Sequence, residues 1–259
     1  MNNMEAGMKE HFIVLEDVTR RYRQGETEQT VLENCSMSFA EGRCHMLLGR
    51  SGSGKSTLLN MIGGIDAPDS GRILVADREV SAMAEQELTL YRRRDIGTIF
   101  QFFHLIPTLT VVENVVLPLE LDGSAGADAR RRAGELLERV ELAHKRDAMP
   151  ETLSGGEQQR VAIVRALAHD PLVILADEPT GNLDGRTGEQ VLRLLLELTR
   201  EAGKTLIMAT HSHDALPWAD HVYEVRDRGL QPIDLEELLR HERALQERAR
   251  ELQAEATSR

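Results

Sequence analysis

The chain has 259 residues, enough for one large domain or two small ones and ample for a proper core. Its 41% apolar and 29% charged residues exclude wholesale disorder. With 31 Lys and Arg against 43 Asp and Glu, the net charge of −12 argues against a protein that holds nucleic acid through its phosphates. The opening MNNMEAGMKEH pairs no basic region with an apolar stretch, so no export signal is read and a cytosolic protein is expected. Phe12 to Leu15 reads as a strand, and Gln24-Gly25-Glu26 as a turn before Val31-Leu32. Cys35 and Cys44 form no CxxC pair, and a disulfide between them is disfavoured in a cytosolic chain. Cys44 to Leu48 reads as a buried strand, followed by a glycine-rich turn and a helix from about Lys55 to Ile62. That order opens a parallel α/β unit.

Further on, Arg92-Arg93-Arg94 is most simply a solvated charge run. The apolar stretch Phe102 to Leu121 is broken by Glu113, Glu120, Pro107 and Pro118, so it fails as a membrane span of about 20 apolar residues. Two readings of it stay open: a buried element of a helical core, or a groove that receives a helix from a membrane partner. Residues 123 to 168 read as helical, including an amphipathic Ala127 to Leu142. Leu172 to Ala176 is a second buried strand, ending in Asp177-Glu178. A helix from Thr187 to Glu201 leads to a third strand, Thr205 to Ala209, which ends at Thr210-His211. Polar residues thus gather at the carboxyl ends of parallel strands, where open α/β sheets place ligands. Asp234 to Arg259 reads as a charged helix with Leu238, Leu245 and Leu252 seven apart, too few to define a coiled coil.

Gly49 to Ser56 fits G-x-x-x-x-G-K-[ST] between a strand and a helix. Its glycines let backbone N–H groups turn inward around phosphate oxygens at a helix N-terminus. Lys55 can reach the β- and γ-phosphates, and the Ser56 hydroxyl can ligate Mg²⁺. Asp177 can hold Mg²⁺ through water, and Glu178 can polarise an attacking water as general base. Leu153-Ser154-Gly155-Gly156-Glu157-Gln158-Gln159-Arg160 opens another helix, with Ser154 and Glu157 as a capping box. Its paired glycines leave N–H groups open for a second phosphate-sized site. His211-Ser212-His213 could be a metal pair, but no further ligand cluster accompanies it in the sequence.

A P-loop with LSGGEQQR and LADE resembles the ATP-binding cassette, the ATPase subunit of ABC transporters, over about residues 12–230. The resemblance implies an α/β fold: a P-loop NTPase (RecA-like) parallel-sheet core, an N-terminal antiparallel β subdomain, and a helical signature subdomain at about residues 102–168. A charged tail at 231–259 follows. It implies that Tyr22 stacks on adenine and that Gly49, Arg50, Ser51, Gly52, Ser53, Gly54, Lys55, Ser56 and Thr57 cradle the phosphates of ATP. Ser154, Gly155, Gly156 and Glu157 would cover the nucleotide of a second copy in a head-to-tail dimer. Ser56, Gln101 and Asp177 would serve Mg²⁺, and Gln101 would sense both the cation and the permease. Glu178 would activate water, His211 would hold the γ-phosphate, and Asn182-Leu183-Asp184 would link the two subunits. Arg50 stands where related P-loops commonly have proline; backbone cradling does not depend on that side chain.

Phe100 to Val115 and Ala176 to Asp184 resemble one branch, which serves lipoprotein release, macrolide export and related work with a permease on a separate chain or domain. The expected protein is cytoplasmic and peripheral on the inner membrane through that permease, with no nucleic-acid partner. A cell-division ATPase of the same branch transmits a mechanical signal instead. Soluble ABC proteins of DNA repair insert long coiled coils or zinc modules between P-loop and signature, and those of translation carry two cassettes; this chain has neither feature.

Overall fold

The computed structural model describes residues 9–25, 27–124, 126–211 and 213–240. Along the chain come β1 (Ile13–Gln24), β2 (Thr27–Phe39), β3 (Cys44–Leu48), α1 (Lys55–Ile62), β4 (Ser70–Val75) and β5 (Arg78–Glu79). Then follow α2 (Glu85–Arg94), β6 (Ile96–Ile99), α3 (Val111–Leu121), α4 (Ala127–Arg139), α5 (Gly155–Leu167), β7 (Val173–Asp177) and α6 (Gly185–Glu201). β8 (Thr205–Ala209), β9 (His221–Arg226) and β10 (Gly229–Ile233) complete the ordered framework.

The strands form two sheets. One is antiparallel with order β2-β1-β4-β5, and the other has order β10-β9-β3-β8-β7-β6, parallel except for the edge strand β10. Every residue of β3 and β8 is buried, as strands covered on both faces must be, which is why they read as unbroken apolar runs. One apolar cluster spans the parallel sheet and the helices α3 to α6, through Met46, Val115, Leu137, Ile163 and Leu195. A second lies between the antiparallel sheet and α1, through Phe39, Leu58, Ile62 and Ile73. The fold is therefore the expected α/β cassette with both a β layer and a helical layer.

His45 is the polar exception inside β3. Its Nε2 donates to the Ala40 carbonyl at 2.9 Å, and its ring lies 5.2 Å from Phe39 and 5.1 Å from His221. Burial pushes its imidazole down to about 4.

The apolar run Phe102 to Leu121 divides in two. From Val111 it is a helix whose Val111, Val112, Val115, Val116 and Leu119 face inward, so this half is core. Phe102 stays 64% exposed and Leu121 53%. Pro118 sits inside α3 without ending it, whereas the chain before Thr110 is not helical. The reason is Asn114, fully buried, whose Nδ2 donates to the carbonyls of Ile106, Leu109 and Thr110 and whose Oδ1 accepts from Ile106 N. Its side chain satisfies the turns that precede the helix. α6 starts at Gly185, before the expected Thr187, because Asp184 caps it by accepting from Thr187 N at 3.1 Å. Of the tail, residues 235–240 are helical, and Leu235, Leu238 and Leu239 pack on the larger cluster. Leu245 and Leu252 lie outside the described residues.

Candidate active site

The P-loop leaves β3 at Gly49 and enters α1 at Lys55. Gly54 has φ 108°, and a Cβ there would come 2.9 Å from Val31 Cγ1, so both backbone and space demand glycine. The loop borders a cleft of about 710 Å³ that is also lined by Val31, Gln101, Asp177, Glu178 and His211. All nine predicted phosphate-binding residues, Gly49 to Thr57, line it. Arg50 is among them and is exposed.

Lys55 is only 6% exposed, and its ammonium donates to the carbonyls of Gly49 at 2.8 Å and Arg50 at 3.3 Å. The loop's own oxygens thus hold the charge where an anion would otherwise stand. Ser53 Oγ is buried without a partner, a spare donor inside the loop.

Glu178 follows β7 with φ 47°, a left-handed conformation uncommon for a non-glycine residue. Its N–H donates to the Ala209 carbonyl at 2.8 Å, which fixes the kink against β8. Its Oε2 lies 2.7 Å from His211 Nδ1 and accepts from His211 N at 3.3 Å, while Oε1 lies 3.8 Å from Lys55 Nζ. A carboxylate between a histidine and a lysine, at the mouth of a phosphate-shaped loop, is suited to accept a proton from water.

Gln101 and Asn182 form a reciprocal pair: Gln101 Nε2 donates to Asn182 Oδ1, and Asn182 Nδ2 donates to the Gln101 carbonyl, each at 3.1 Å. That commits the amide nitrogen of Gln101 and leaves its Oε1 as the atom a cation would use. Ser56 hydroxyl, Gln101 amide oxygen and Asp177 carboxylate border one cleft, and such hard oxygen donors suit Mg²⁺.

The signature residues lie elsewhere. Ser154 accepts from Glu157 N and caps α5, while Glu157 Oε2 accepts from Ser154 N at 2.8 Å and Ser154 Oγ at 2.9 Å. Lys145 donates to Glu157 at 2.5 Å, which with those bonds holds the carboxyl down at about 2. Gly156 has a packing reason beyond capping: a Cβ there would lie 2.5 Å from Thr187 Cγ2 on α6. Ser154, Gly156 and Glu157 line a separate cleft of about 480 Å³ beside α6, and none of Ser154 to Glu157 borders the P-loop cleft. Tyr22 also stands outside the phosphate cleft, though its hydroxyl is 3.5 Å from Thr57 Oγ1. Asp184 is occupied as the cap of α6.

Three supporting residues escape sequence reading. Gln159, fully buried, donates to the carbonyls of Phe100 at 3.2 Å and Pro179 at 2.6 Å, tying the signature helix to the ends of β6 and β7. Lys145 and Asn114 act similarly on Glu157 and on the loop before α3. Gln159 sits within LSGGEQQR, so only its burial, not its presence, was hidden. Among the described residues, no cluster of His, Cys, Asp or Glu could hold a metal by itself.

A parallel sheet that delivers a P-loop, an Asp-Glu strand end and a histidine to one cleft defines a P-loop nucleoside triphosphatase. The chain belongs to the ABC transporter family, whose model matches residues 32–181. It is 50% identical over 224 residues to an ABC transporter ATP-binding protein of Mycobacterium tuberculosis, covering 86% of this chain and 90% of that one. It is 42% identical over 233 residues to the lipoprotein-releasing system ATP-binding protein LolD of Gluconobacter oxydans, covering 90% of this chain and 100% of LolD. Identity is 44% to the macrolide export ATP-binding/permease protein MacB of Chlorobaculum tepidum, where 83% of this chain spans 33% of MacB. Among solved structures, the dimeric cassette MJ0796 in a post-hydrolysis state with ADP and Pi superposes with a TM-score of 0.79 at 40% identity, covering 86% of this chain and 98% of that one. The chain is an ATP-binding, ATP-hydrolysing subunit of an ABC transporter, in the branch that includes LolD and MacB.

Proposed function

We propose that the chain works as one half of a head-to-tail homodimer whose ATP-driven closure acts on a membrane permease carried by a separate chain, in export or lipoprotein release. One observation carries this reading: the two phosphate-binding elements of the chain line different clefts. A second copy related by a two-fold axis would bring the Ser154 to Gly156 element of each protomer to the P-loop of the other, completing two sites at one interface. MJ0796 is dimeric in its post-hydrolysis state, which agrees with such an assembly.

Within each site, ATP would draw Lys55 from the carbonyls of Gly49 and Arg50 to its β- and γ-phosphates. Because His211 holds Oε2 of Glu178, Oε1 is the free acceptor for a proton from the attacking water. His211, exposed at the cleft mouth, would then meet the γ-phosphate. Tyr22 would stack on adenine beside Thr57. Ser56, Gln101 and Asp177 would hold Mg²⁺, which would supply positive charge to the phosphates.

The permease is assigned to a groove of about 440 Å³ lined by Ile96, Leu117, Pro118, Leu121 and Ala166 together with Arg92, Arg93, Arg165 and His169. An apolar floor of that kind suits an amphipathic helix. No described helix is long and apolar enough to cross a membrane, so placement at the cytoplasmic face would come through this partner.

The test combines two substitutions. Glu178→Gln should bind ATP without turnover and elute as a dimer when ATP is present. Ser154→Asp keeps a good helix cap but sets a carboxylate against the partner's γ-phosphate. It is cleaner than a change at Gly155, where a Cβ would press on Leu183 and Phe103. In the double variant the dimer should vanish while ATP binding to the monomer persists. Equal loss of monomer binding would mean that the signature faces its own nucleotide, against the head-to-tail arrangement.

A further inference from the structure

We infer that Arg20 and Asp66 position Tyr22 as a pre-set platform for the adenine ring, an inference that rests on the stacking role proposed above for Tyr22. Arg20 and Tyr22 are two residues apart on β1, so strand alternation sets them on one face. The pairing of β1 with β2 slips between Val18 and Arg20 and again between Arg20 and Arg21. The extra residues at both slips fall on β2, so the alternation that sets Arg20 beside Tyr22 on β1 is unbroken.

The guanidinium of Arg20 grips Asp66 with two bonds, Nε to Oδ2 at 3.1 Å and Nη2 to Oδ1 at 2.7 Å, and its Nη1 reaches Asp69 Oδ1 at 3.3 Å. A forked pair fixes the plane as well as the position of the cation. That cation stands 4.6 Å from the centroid of the Tyr22 ring and covers one face. The Tyr22 hydroxyl donates to Asp66 Oδ2 at 2.6 Å, so one carboxylate anchors both the cation and the far end of the ring.

Arg20 and Asp66 have side chains only 20% and 21% exposed, so the pair is shielded rather than waving in solvent. Tyr22 as a whole remains 38% exposed, and with Arg20 over one face the base would take the other. Asp66 follows α1, the helix that begins at Lys55, and the hydroxyl of Tyr22 also approaches Thr57 on that helix at 3.5 Å. The ring is thereby referenced to the element that grips the phosphates, not merely to its own strand. A platform whose torsions are already set loses less freedom when the base arrives.

The experiment measures binding of ATP and of inorganic tripolyphosphate, each with Mg²⁺, to the full chain. Tripolyphosphate has no base and reports on the P-loop alone. Tyr22→Ala should weaken ATP about tenfold and spare tripolyphosphate. Arg20→Ala and Asp66→Asn should each weaken ATP about threefold, raise KM for hydrolysis without lowering kcat, spare tripolyphosphate, and add little in the Tyr22→Ala background. Arg20→Lys, which keeps charge but not the fork, should fall between; it and Asp66→Asn carry the test should Arg20→Ala fail to fold. The positioning role is overturned if Tyr22→Ala weakens ATP while Arg20→Lys and Asp66→Asn bind it as the parent does; the stacking role of Tyr22 then stands. It is also overturned if tripolyphosphate affinity drops in parallel with ATP, because the pair would then be holding α1. Parent-like ATP binding by Tyr22→Ala would remove the stacking role itself, and the inference with it.

Discussion

Acid should loosen this protein from the strand that carries the P-loop. His45 is fully buried in β3, four residues before Gly49, and burial lowers its imidazole from 6.5 to about 4. Between those values the unfolded chain binds more protons than the folded one, so stability rises with pH across the window. The contribution is complete above about pH 6.5 and drains as the pH falls towards about 4, amounting to about 3 kcal/mol over the full range at ~1.36 kcal/mol per pH unit. By about pH 5 roughly 2 kcal/mol of it should be gone. His45→Gln can still donate to the Ala40 carbonyl but does not titrate, and it gives up the ring contacts with Phe39 and His221. We expect the variant to be less stable than the parent by about 2 kcal/mol near neutral pH, with the gap closing towards zero near pH 5. Urea unfolding followed by circular dichroism at three pH values measures both slopes. His169 is also pushed down by burial, but it acts equally in both proteins and cancels from the difference. A gap that stays constant with pH would refute the reasoning, since the imidazole would then be charging in the folded state as easily as in the unfolded one.

Three further outcomes follow from packing and charge. Gly156→Ala should cost about 1–3 kcal/mol in thermal or urea unfolding, because its methyl would lie 2.5 Å from Thr187 Cγ2; adding Thr187→Ser should recover part of the loss. Glu157→Gln should lower stability by about 1 kcal/mol near neutral pH, a value discounted for its partial exposure; the deficit should shrink only as pH falls through about 4.5 towards 2, where the parent's carboxyl also protonates. Leu121→Asp, at an exposed residue of the groove, should keep the melting temperature and the isolated subunit's ATPase but lose stimulation by the permease; retained stimulation would place the docking surface elsewhere.

Legibility in the sequence followed locality. β3, α1 and β8 fall where their apolar runs and glycine signals put them, because a doubly covered strand and a P-loop turn are each specified within a few neighbouring residues. The grouping of Asp177, Glu178 and His211 was legible for the same reason: parallel strands deliver their carboxyl ends to one edge. The left-handed backbone of Glu178 was not, since it depends on the Ala209 carbonyl of the next strand over. Asn114 looks like an ordinary polar residue on an apolar helix until its four bonds to the preceding loop are seen. Lys145 and Glu157, or Arg20 and Asp66, are pairs whose partners lie a dozen to several dozen residues apart and leave no periodic trace.

On the proposed reading, the same long-range contacts tie nucleotide chemistry and partner binding into one mechanical unit. α5 has the signature at its N-terminus and supplies Arg165 and Ala166 to the groove near its other end. At 13 residues it spans about 20 Å, a stiff rod between the two surfaces. Gln159, midway, bonds the rod to Phe100 and Pro179, the residues beside Gln101 and Glu178. Arg165 adds bonds to the carbonyls of Phe103 and His104, in the segment that follows Gln101. Gln101 in turn is doubly bonded to Asn182, two residues before the cap of α6. On the proposed reading, a partner helix pressed into the groove would push on a rod whose far end covers the nucleotide of the other protomer and whose middle is fastened beside Gln101 and Glu178, the proposed cation ligand and general base. Apart from the bond from Gln101 Nε2 to Asn182 Oδ1, these attachments are direct hydrogen bonds to backbone carbonyls rather than flexible surface ion pairs, so on the proposed reading a displacement at the groove would reach both the signature and the P-loop cleft through them.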